Sequence, residues 1–126
     1  LYNWYAVNDP RGLAPTGWHI PSDEEWRTLI GYLGGYPVAG GKMKEASTTH
    51  WASPNTGATN ESGFSALPSG FHGLIFLFLG KDAYFWSSTE GDTDNAAFRS
   101  LHCDLSDIYR DCKYKGNGFS VRCVRD

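Results

Sequence analysis

The polar side chains that could do chemistry are concentrated in one segment, residues 91–117, which mixes Asp, Ser, Tyr, His, Arg, Gly and Cys. Exposed aromatic side chains among Ser and Asp provide amphipathic contact area and adaptable hydrogen bonding, as in antibody paratopes. Within this segment Phe98, Tyr109 and Tyr114 are predicted to be the aromatic anchors. The full predicted ligand-binding set is Asp92, Asp94, Asn95, Phe98, Ser100, His102, Asp104, Asp107, Tyr109, Asp111 and Tyr114.

Metal binding is the second chemistry that these residue types allow. Calcium takes six to eight oxygen ligands, so a site could be formed by Asp92, Asp94, Asp104, Asp107 and Asp111. EF-hand spacing is absent, however, and the four histidines show neither H-x3-H spacing nor a Cys partner typical of zinc. We therefore expect no cofactor and keep calcium as an alternative.

Catalytic patterns are missing from the chain. No G-x-S-x-G element or comparable nucleophile motif occurs, and Ser87, Ser88 and Thr89 are expected to form hydrogen bonds at a strand end. The three cysteines are Cys103, Cys112 and Cys123, and an odd number cannot all pair within one chain. A bridge between Cys103 and Cys112 and free thiols at both positions remain open, because geometry decides between them. The sequence predicts no enzyme.

Two apolar segments flank the polar one and must position it. Residues 83–89 (AYFWSST) and 119–126 (FSVRCVRD) read as strands, and residues 95–105 and 108–114 are predicted to be strands between them. In the former of these inner strands, Arg99 and Leu101 lie on a face predicted to be apolar and buried. Phe98, Ser100 and His102 then lie on the face predicted to be solvated.

The remaining elements precede this region. Residues 1–7 (LYNWYAV) are predicted to be a strand that pairs with the C-terminal strand. Ser22 and Glu25 form a capping-box pattern, which predicts a helix that ends at Gly34 and Gly35. A short helical turn is expected over 41–46 and an irregular strand over 64–71. The chain is thus predicted to be one α+β domain, residues 1–126, with one main helix, one short helix and several short antiparallel strands.

Composition limits the partners. The net charge of −3 provides no basic field for nucleic acid or for an anionic membrane surface. The longest apolar run, residues 74–79 (LIFLFL), is too short to cross a bilayer and is predicted to be a buried strand or a loop that fills the core. The five tryptophans are expected in or near the core, with Trp51 and Trp86 as an alternative sugar-binding platform. Oligomeric state is undetermined.

Several motifs carry a family resemblance. GWHIPSDEEW at 17–26, GGKMKE at 40–45, NTGATNESGFSALPSG at 55–70, FWSSTE at 85–90 and GFSVRCVRD at 118–126 together resemble the Fibrobacter succinogenes major paralogous domain over nearly the whole chain. The resemblance implies a C-type-lectin-like fold in secreted or surface-attached bacterial proteins. It also implies that Arg99 and Arg110, which the family pattern shares, are framework ion pairs or stacked supports and do not contact the ligand. Any signal or anchor is expected upstream of Leu1.

Two more distant resemblances suggest functions. The helix start and the closing Gly-Phe-x-x-Arg-Cys pattern are similar to formylglycine-generating enzymes, but the copper-binding C-x4-C spacing is not reproduced by Cys103 and Cys112. Other domains of this fold, in gut bacteria and their phages, are variable proteins of diversity-generating retroelements. Their adenine-directed rewriting of AAC codons excludes Lys, Glu, Gln, Met and Trp, and residues 91–117 contain only two of these, Lys113 and Lys115.

The predicted function follows from the binding surface and the resemblance together. We expect a non-enzymatic recognition or adhesion module, on a cell surface or phage particle, whose variable region spans residues 82–126 and binds an unknown protein or glycan. No nucleic acid and no direct membrane insertion are expected. The alternatives are a lectin that uses calcium or the tryptophan platform, an enzyme related to the formylglycine-generating oxidases, and a structural subunit of a surface assembly.

Overall fold

A computed structural model describes all 126 residues as an α+β chain with three helices and seven short strands. The strands form three small antiparallel sheets, in the orders β1-β7, β2-β3 and β4-β5-β6. None of the helices has the length and apolarity that a bilayer crossing requires. The elements are α1 Trp4–Val7, β1 Trp18–His19, α2 Asp23–Tyr32, α3 Tyr36–Met43, β2 Phe71–His72, β3 Phe76–Leu77, β4 Asp82–Glu90, β5 Asn95–His102, β6 Ile108–Tyr114 and β7 Val124–Arg125.

Helix α2 begins where its sequence predicts. The Ser22 hydroxyl accepts from the Glu25 backbone N–H at 3.2 Å, and the Glu25 carboxylate accepts from the Ser22 N–H at 2.8 Å. This reciprocal pair satisfies two backbone donors that the first turn of a helix leaves unpaired. Trp26 and Ile30 lie four residues apart on the buried face, so the helix packs against the sheet through them.

The predicted strand at residues 1–7 is wrong. Asn3 accepts from the Ala6 backbone N–H through its side chain and thereby caps the short helix α1. The predicted pairing of the two chain ends is reduced to one antiparallel bridge, between Tyr2 and Phe119. The strand β7 pairs with β1 instead, with Trp18 opposite Arg125.

The second helix also differs from its prediction. Instead of a turn over 41–46, α3 runs from Tyr36 to Met43, with Pro37 in its first turn, where a missing N–H costs nothing. Gly40 lies so close to the connection between β5 and β6 that a Cβ would approach the Asp107 carbonyl oxygen to 2.1 Å. Helix α3 therefore supports that connection directly.

Two apolar clusters cover the two faces of the central sheet. One contains Trp26, Phe85 and Leu101, and the other contains Trp86, Phe98 and Phe119. Strand β5 is the middle strand, so its side chains enter both clusters, and six of its eight residues are buried. The prediction that β5 has a solvated face is therefore wrong.

The run LIFLFL at 74–79 is a further correction. It contains β3 and forms with β2 a hairpin, but its side chains do not fill the core. Leu74 is fully exposed, Leu79 is 69% exposed and Phe76 and Phe78 are each 47% exposed. The hairpin enters the core only through Phe71, whose ring contacts Tyr84 and Phe119.

Candidate functional site

The connection between β5 and β6 is fixed by a buried lysine. The Lys44 ammonium donates to the backbone carbonyls of Thr56 at 2.8 Å, His102 at 2.9 Å and Leu105 at 2.8 Å. It lies 5.4 Å from the centre of the Trp51 ring, and the residue has no exposed surface. Burial lowers the pKa of Lys44 to about 8. Two of these hydrogen bonds tie residues 102–105 to the end of α3, and the third ties the loop at Thr56 to the same point.

The opposite connection, between β4 and β5, is fixed in a similar way. The Lys115 ammonium donates to the Glu90 carboxylate and, at 2.7 Å, to the Thr93 carbonyl, and it lies 4.9 Å from the Trp4 ring centre. The Lys115 backbone N–H also donates to the Asp94 carbonyl at 2.8 Å. Both connections that flank β5 are thus attached to the scaffold through the side chain of a buried lysine.

An ion-pair group joins the sheet to α2. Asp23 accepts from Arg99 Nη1 at 2.8 Å and from Arg110 Nε at 3.1 Å, and it lies 3.2 Å from Arg27 Nε. Burial raises the pKa of Asp23, but the hydrogen bonds from both arginines outweigh burial and lower it overall. The guanidinium of Arg99 is completely buried. The predicted role of Arg99 and Arg110 as framework ion pairs is confirmed.

A polar group, here called the His102 patch, lies on one face of the sheet and consists of Asp82, Tyr84, Ser100, His102 and Tyr109. His102 Nδ1 is 3.1 Å from the Asp82 carboxylate, and His102 Nε2 is 3.1 Å from the Ser100 hydroxyl oxygen. The Tyr84 hydroxyl donates to Asp82 at 3.0 Å, and burial, followed by the Asp82 charge, raises the pKa of Tyr84 above its ordinary range. The ring centres of His102 and Tyr109 are 5.5 Å apart.

The connectivity of this patch is that of an Asp-His-Ser triad. If Nδ1–H is donated to Asp82, then Nε2 is left to accept the Ser100 hydroxyl. A serine nucleophile must be reached by its substrate, however, and Ser100 is only 4% exposed. The arrangement therefore fixes the orientation of the His102 ring, whose side chain keeps 23% of its surface exposed.

Two members of the predicted binding set lie in the core, and their assignment as exposed contact residues is wrong. Phe98 is 7% exposed and packs against Trp86 and Phe119, with ring centres 6.4 and 5.1 Å away. Ser100 lies under His102 and Tyr109 on the same face of the sheet. Both residues belong to β5, and a middle strand with a cluster on each face has no solvated side.

The other predicted residues are exposed or partly exposed but do not form one surface. Tyr109 and Asp111 lie opposite Ser100 and Phe98 and share the face of the His102 patch, whereas Tyr114 lies opposite Asn95 on the other face. The turn residues lie at the two ends of β5. The exposed members are Asp92, Asp94, Asp104, Tyr109, Asp111 and Tyr114, and the partly exposed members are Asn95, His102 and Asp107.

Asp92 stabilises its own turn. One of its carboxylate oxygens accepts from the backbone N–H of Asp94 at 2.8 Å and of Asn95 at 2.9 Å, and the Asn95 amide also donates to it. These hydrogen bonds, from the Asn95 side chain first, lower the pKa of Asp92. Asp92 and Asn95 therefore shape the turn, and Asp94 is left as its free side chain.

The calcium set does not assemble. Nowhere in the chain do three His, Cys, Asp or Glu side chains form a group that could hold a metal ion, so the five predicted aspartates remain apart. Trp51 and Trp86 are buried, at 1% and 0% exposure, and the sugar platform predicted from them is wrong. Cys103, Cys112 and Cys123 are all free thiols.

Asp82 and Tyr84 are the site residues that sequence reasoning missed. Both lie at the start of β4, where the register places Asp82 opposite His102 and Tyr84 opposite Ser100. The alternation of β4 was readable from the sequence, but its partner and register were not. A predicted β4–β5 hairpin with this register would have placed both side chains beside His102.

A groove of about 590 Å³ lies between α2 and β7 and is a second feature that sequence reasoning did not predict. Its walls are mostly apolar and include Trp26, Leu29, Phe64 and Val124. The buried Trp26 Nε1–H has no hydrogen-bond partner. The groove shares no residue with the predicted binding set.

Comparison with known proteins places the chain in one family. The model of the Fibrobacter succinogenes major domain matches residues 1–125, which is nearly the whole chain. No curated protein and no solved structure matches it.

Proposed function

This chain belongs to the Fibrobacter succinogenes major domain family, and from that premise we propose that it is a non-enzymatic recognition module. Its contact surface is the outer strand β6 together with the His102 patch and the connections at the two ends of β5. The remainder of the chain is the scaffold. The module is displayed on a cell surface or a phage particle, and its partner is a protein or a glycan.

The observation that supports this most is the exposure of β6. Only Ile108 of its seven residues is buried, and its outer edge pairs with no other strand or bridge. The other outer strand, β4, has bridges from Ala83 to Gly70 and from Phe85 to Ser120 along its free edge. Strand β6 is thus the open edge of the sheet, and its exposed side chains other than Arg110 can change without loss of core packing.

The residue types on this strand suit recognition. Tyr109 is 45% exposed and is braced by the His102 ring, so a partner that contacts it orders few additional rotamers. Asp111 and Lys113 follow on the same face and supply opposite charges. A rigid aromatic anchor beside adaptable polar groups is the composition of paratope-like surfaces.

The finer assignments belong to this proposal. We infer a C-type-lectin-like fold and diversification of the C-terminal third by a retroelement, with export to the cell surface. The burial pattern limits which positions could vary: the exposed positions on β6 and in the connections at the two ends of β5 are candidates, whereas Phe98, Ser100 and Lys115 are expected to be constant. A near-duplicate of the coding segment beside a reverse transcriptase gene, differing at these positions only, would support the inference. Differences that fall mainly on β5 would contradict it.

A binding screen with a matched control tests recognition itself. Labelled protein is applied to a glycan array and to an array of extracellular protein ectodomains, and the signals are compared with those of a His102→Ala/Tyr109→Ala double variant. The control is Tyr5→Ala, which removes a tyrosine of similar exposure, 55%, from α1. We expect the double variant to lose the signals and the control to keep them. Signals that persist in the double variant would refute the assignment of the surface.

A further inference from the structure

The hairpin of residues 71–79, here called the apolar hairpin, leaves five large apolar side chains exposed. Its tip carries Leu74 and Ile75, at 102% and 63% exposure, and Leu79 follows at 69%. Phe76 and Phe78 are each 47% exposed. All five side chains belong to one short hairpin, and an exposed patch of apolar residues clustered in this way marks an interaction site.

The backbone of the hairpin is fixed, so the patch is presented in one geometry. Phe71 pairs with Leu77, and His72 pairs with Phe76. The His72 N–H donates to the Gly118 carbonyl at 2.9 Å, and the Gly118 N–H donates back at 2.7 Å. The backbone that carries the patch is therefore hydrogen-bonded within the hairpin and to Gly118.

Phe78 has an unusual backbone conformation that maintains the exposure. Its φ is +60°, a region that bulky residues rarely adopt and that persists only where the surrounding structure imposes it. The Phe78 carbonyl accepts from the N–H groups of Lys81 at 3.0 Å and Asp82 at 3.1 Å. The Gly73 N–H likewise bonds to the Ile75 carbonyl at 3.0 Å. These hydrogen bonds hold the backbone of the hairpin in this conformation.

The chemistry of the patch selects its partner. Residues 74–79 contain no side chain that can form a hydrogen bond, whereas a typical protein interface surrounds its apolar centre with a polar rim and forms about ten direct hydrogen bonds. Residues 62–81 contain no acidic side chain, and the only Lys or Arg is the exposed Lys81 next to the hairpin. A protruding tip of Leu, Ile and Phe, free of negative charge, fits a hydrocarbon phase, which requires no shape complementarity.

We propose that the apolar hairpin is a lipid-contacting element that enters the interface of a bilayer. Six apolar residues cannot span the hydrocarbon core, so the contact is limited to the headgroup region and the upper acyl chains. The inference is independent of the proposed recognition function, because it uses none of the residues on β6. It replaces two expectations from the sequence, namely that this run fills the core and that the chain makes no direct membrane insertion.

Flotation with lipid vesicles tests the proposal. Purified protein is mixed with phosphatidylcholine vesicles, with and without phosphatidylserine, and the vesicle-bound fraction is compared with that of a Leu74→Ser/Ile75→Ser double variant. The bound-to-free ratio of the variant is expected to be at least about tenfold lower, because its buried apolar area is reduced. Leu74→Trp introduces an aromatic side chain that favours the membrane interface, so this variant should still bind the vesicles.

The control is Tyr32→Ser/Val38→Ser, which removes exposed apolar side chains, at 87% and 41% exposure, from α2 and α3. Equal midpoints of thermal unfolding establish that all variants are folded. The proposal is overturned if the wild-type protein does not float with either vesicle, or if the tip variant floats as well as the control. It is also overturned if sedimentation shows a dimer that the tip substitutions dissociate, since the hairpin would then bind a second copy of the chain.

Discussion

Strands β5 and β6 are neighbours in the same sheet, yet they differ in almost every property that decides tolerance to substitution. Six residues of β5 are buried, and the strand has an apolar cluster on each face. Only one residue of β6 is buried, and one of its edges has no partner. Directly opposed residues, such as Phe98 and Asp111, therefore have opposite roles in folding.

The contrast shows that a polar segment such as residues 91–117 is exposed only in part. The same stretch contains an interior strand, an exposed strand and two connections fixed by Lys44 and Lys115. Recognition by β6 is compatible with stability because the neighbouring strand supplies the core. Substitutions on the two strands, and at the residues that fix them, measure how sharply stability and recognition are divided between β5 and β6.

The largest effect is expected for Phe98→Ala. Truncation of a buried aromatic side chain should lower the free energy of unfolding by about 3–5 kcal/mol, measured by urea denaturation. Asp111→Ala, at the opposed position on β6, is the control and should change it by less than about 0.5 kcal/mol. Similar losses for both variants would mean that the two strands do not differ as described.

Asp23→Asn should come next, because it removes the charge that pairs with the fully buried Arg99. We expect a loss of about 2–3 kcal/mol at neutral pH, somewhat below the range for completely buried pairs. The folded pKa of Asp23 is lowered, so its contribution is present above the ordinary value of about 4 and is lost as pH falls through the folded pKa. The difference between wild type and variant should therefore shrink in acid, and a pH-independent difference would contradict the ion pair.

The pH dependence of stability in wild type and in Lys44→Met tests whether Lys44 is buried as its attachment of the β5–β6 connection requires. Because burial lowers the folded pKa of Lys44 to about 8, the unfolded chain binds more protons between that pH and about 10. Stability should therefore rise with pH through this window, by about 1–2 kcal/mol relative to the variant. Lys113→Met, at an exposed lysine on β6, serves as the control and should keep the wild-type slope. If stability changed equally with pH in wild type and in Lys44→Met, burial of the Lys44 ammonium would not be the cause of the pH dependence.

Tyr109→Ala should have the smallest effect on folding. Its side chain is half-exposed on the open edge, so we expect less than about 0.5 kcal/mol of destabilisation by thermal or urea unfolding. A loss above about 2 kcal/mol would show that the ring belongs to the core and that the contrast between the strands ends before Tyr109.

Local signals in the sequence predicted local structure well. Ser22 and Glu25 specify the start of α2 because both halves of the capping box lie within three residues. The strand pattern predicted β4, β5 and β6 close to their observed bounds because it, too, is carried by residues that are neighbours in the sequence. The resemblance correctly implied the framework role of Arg99 and Arg110, although their shared partner, Asp23, is 76 residues away from Arg99.

The predictions that were wrong concerned properties that depend on tertiary context. The alternation of β5 is compatible with a half-buried strand, and only its position between β4 and β6 buries Phe98 and Ser100. Hydrophobicity alone placed residues 74–79 inside, but the rest of the fold leaves the tip of that hairpin uncovered. Asp82 and Tyr84 required the β4–β5 register, which depends both on the turn at 91–94 and on a register shift between Trp86 and Glu90.

The most direct measurement compares two libraries under protease selection. One randomises five positions around β6, namely His102, Tyr109, Asp111, Lys113 and Tyr114, and the other randomises five positions on β5, namely Ala96, Ala97, Phe98, Ser100 and Leu101. If β6 is a recognition surface on an independent scaffold, most members of the first library should remain folded and almost none of the second. Equal survival of the two libraries, high or low, would contradict the account.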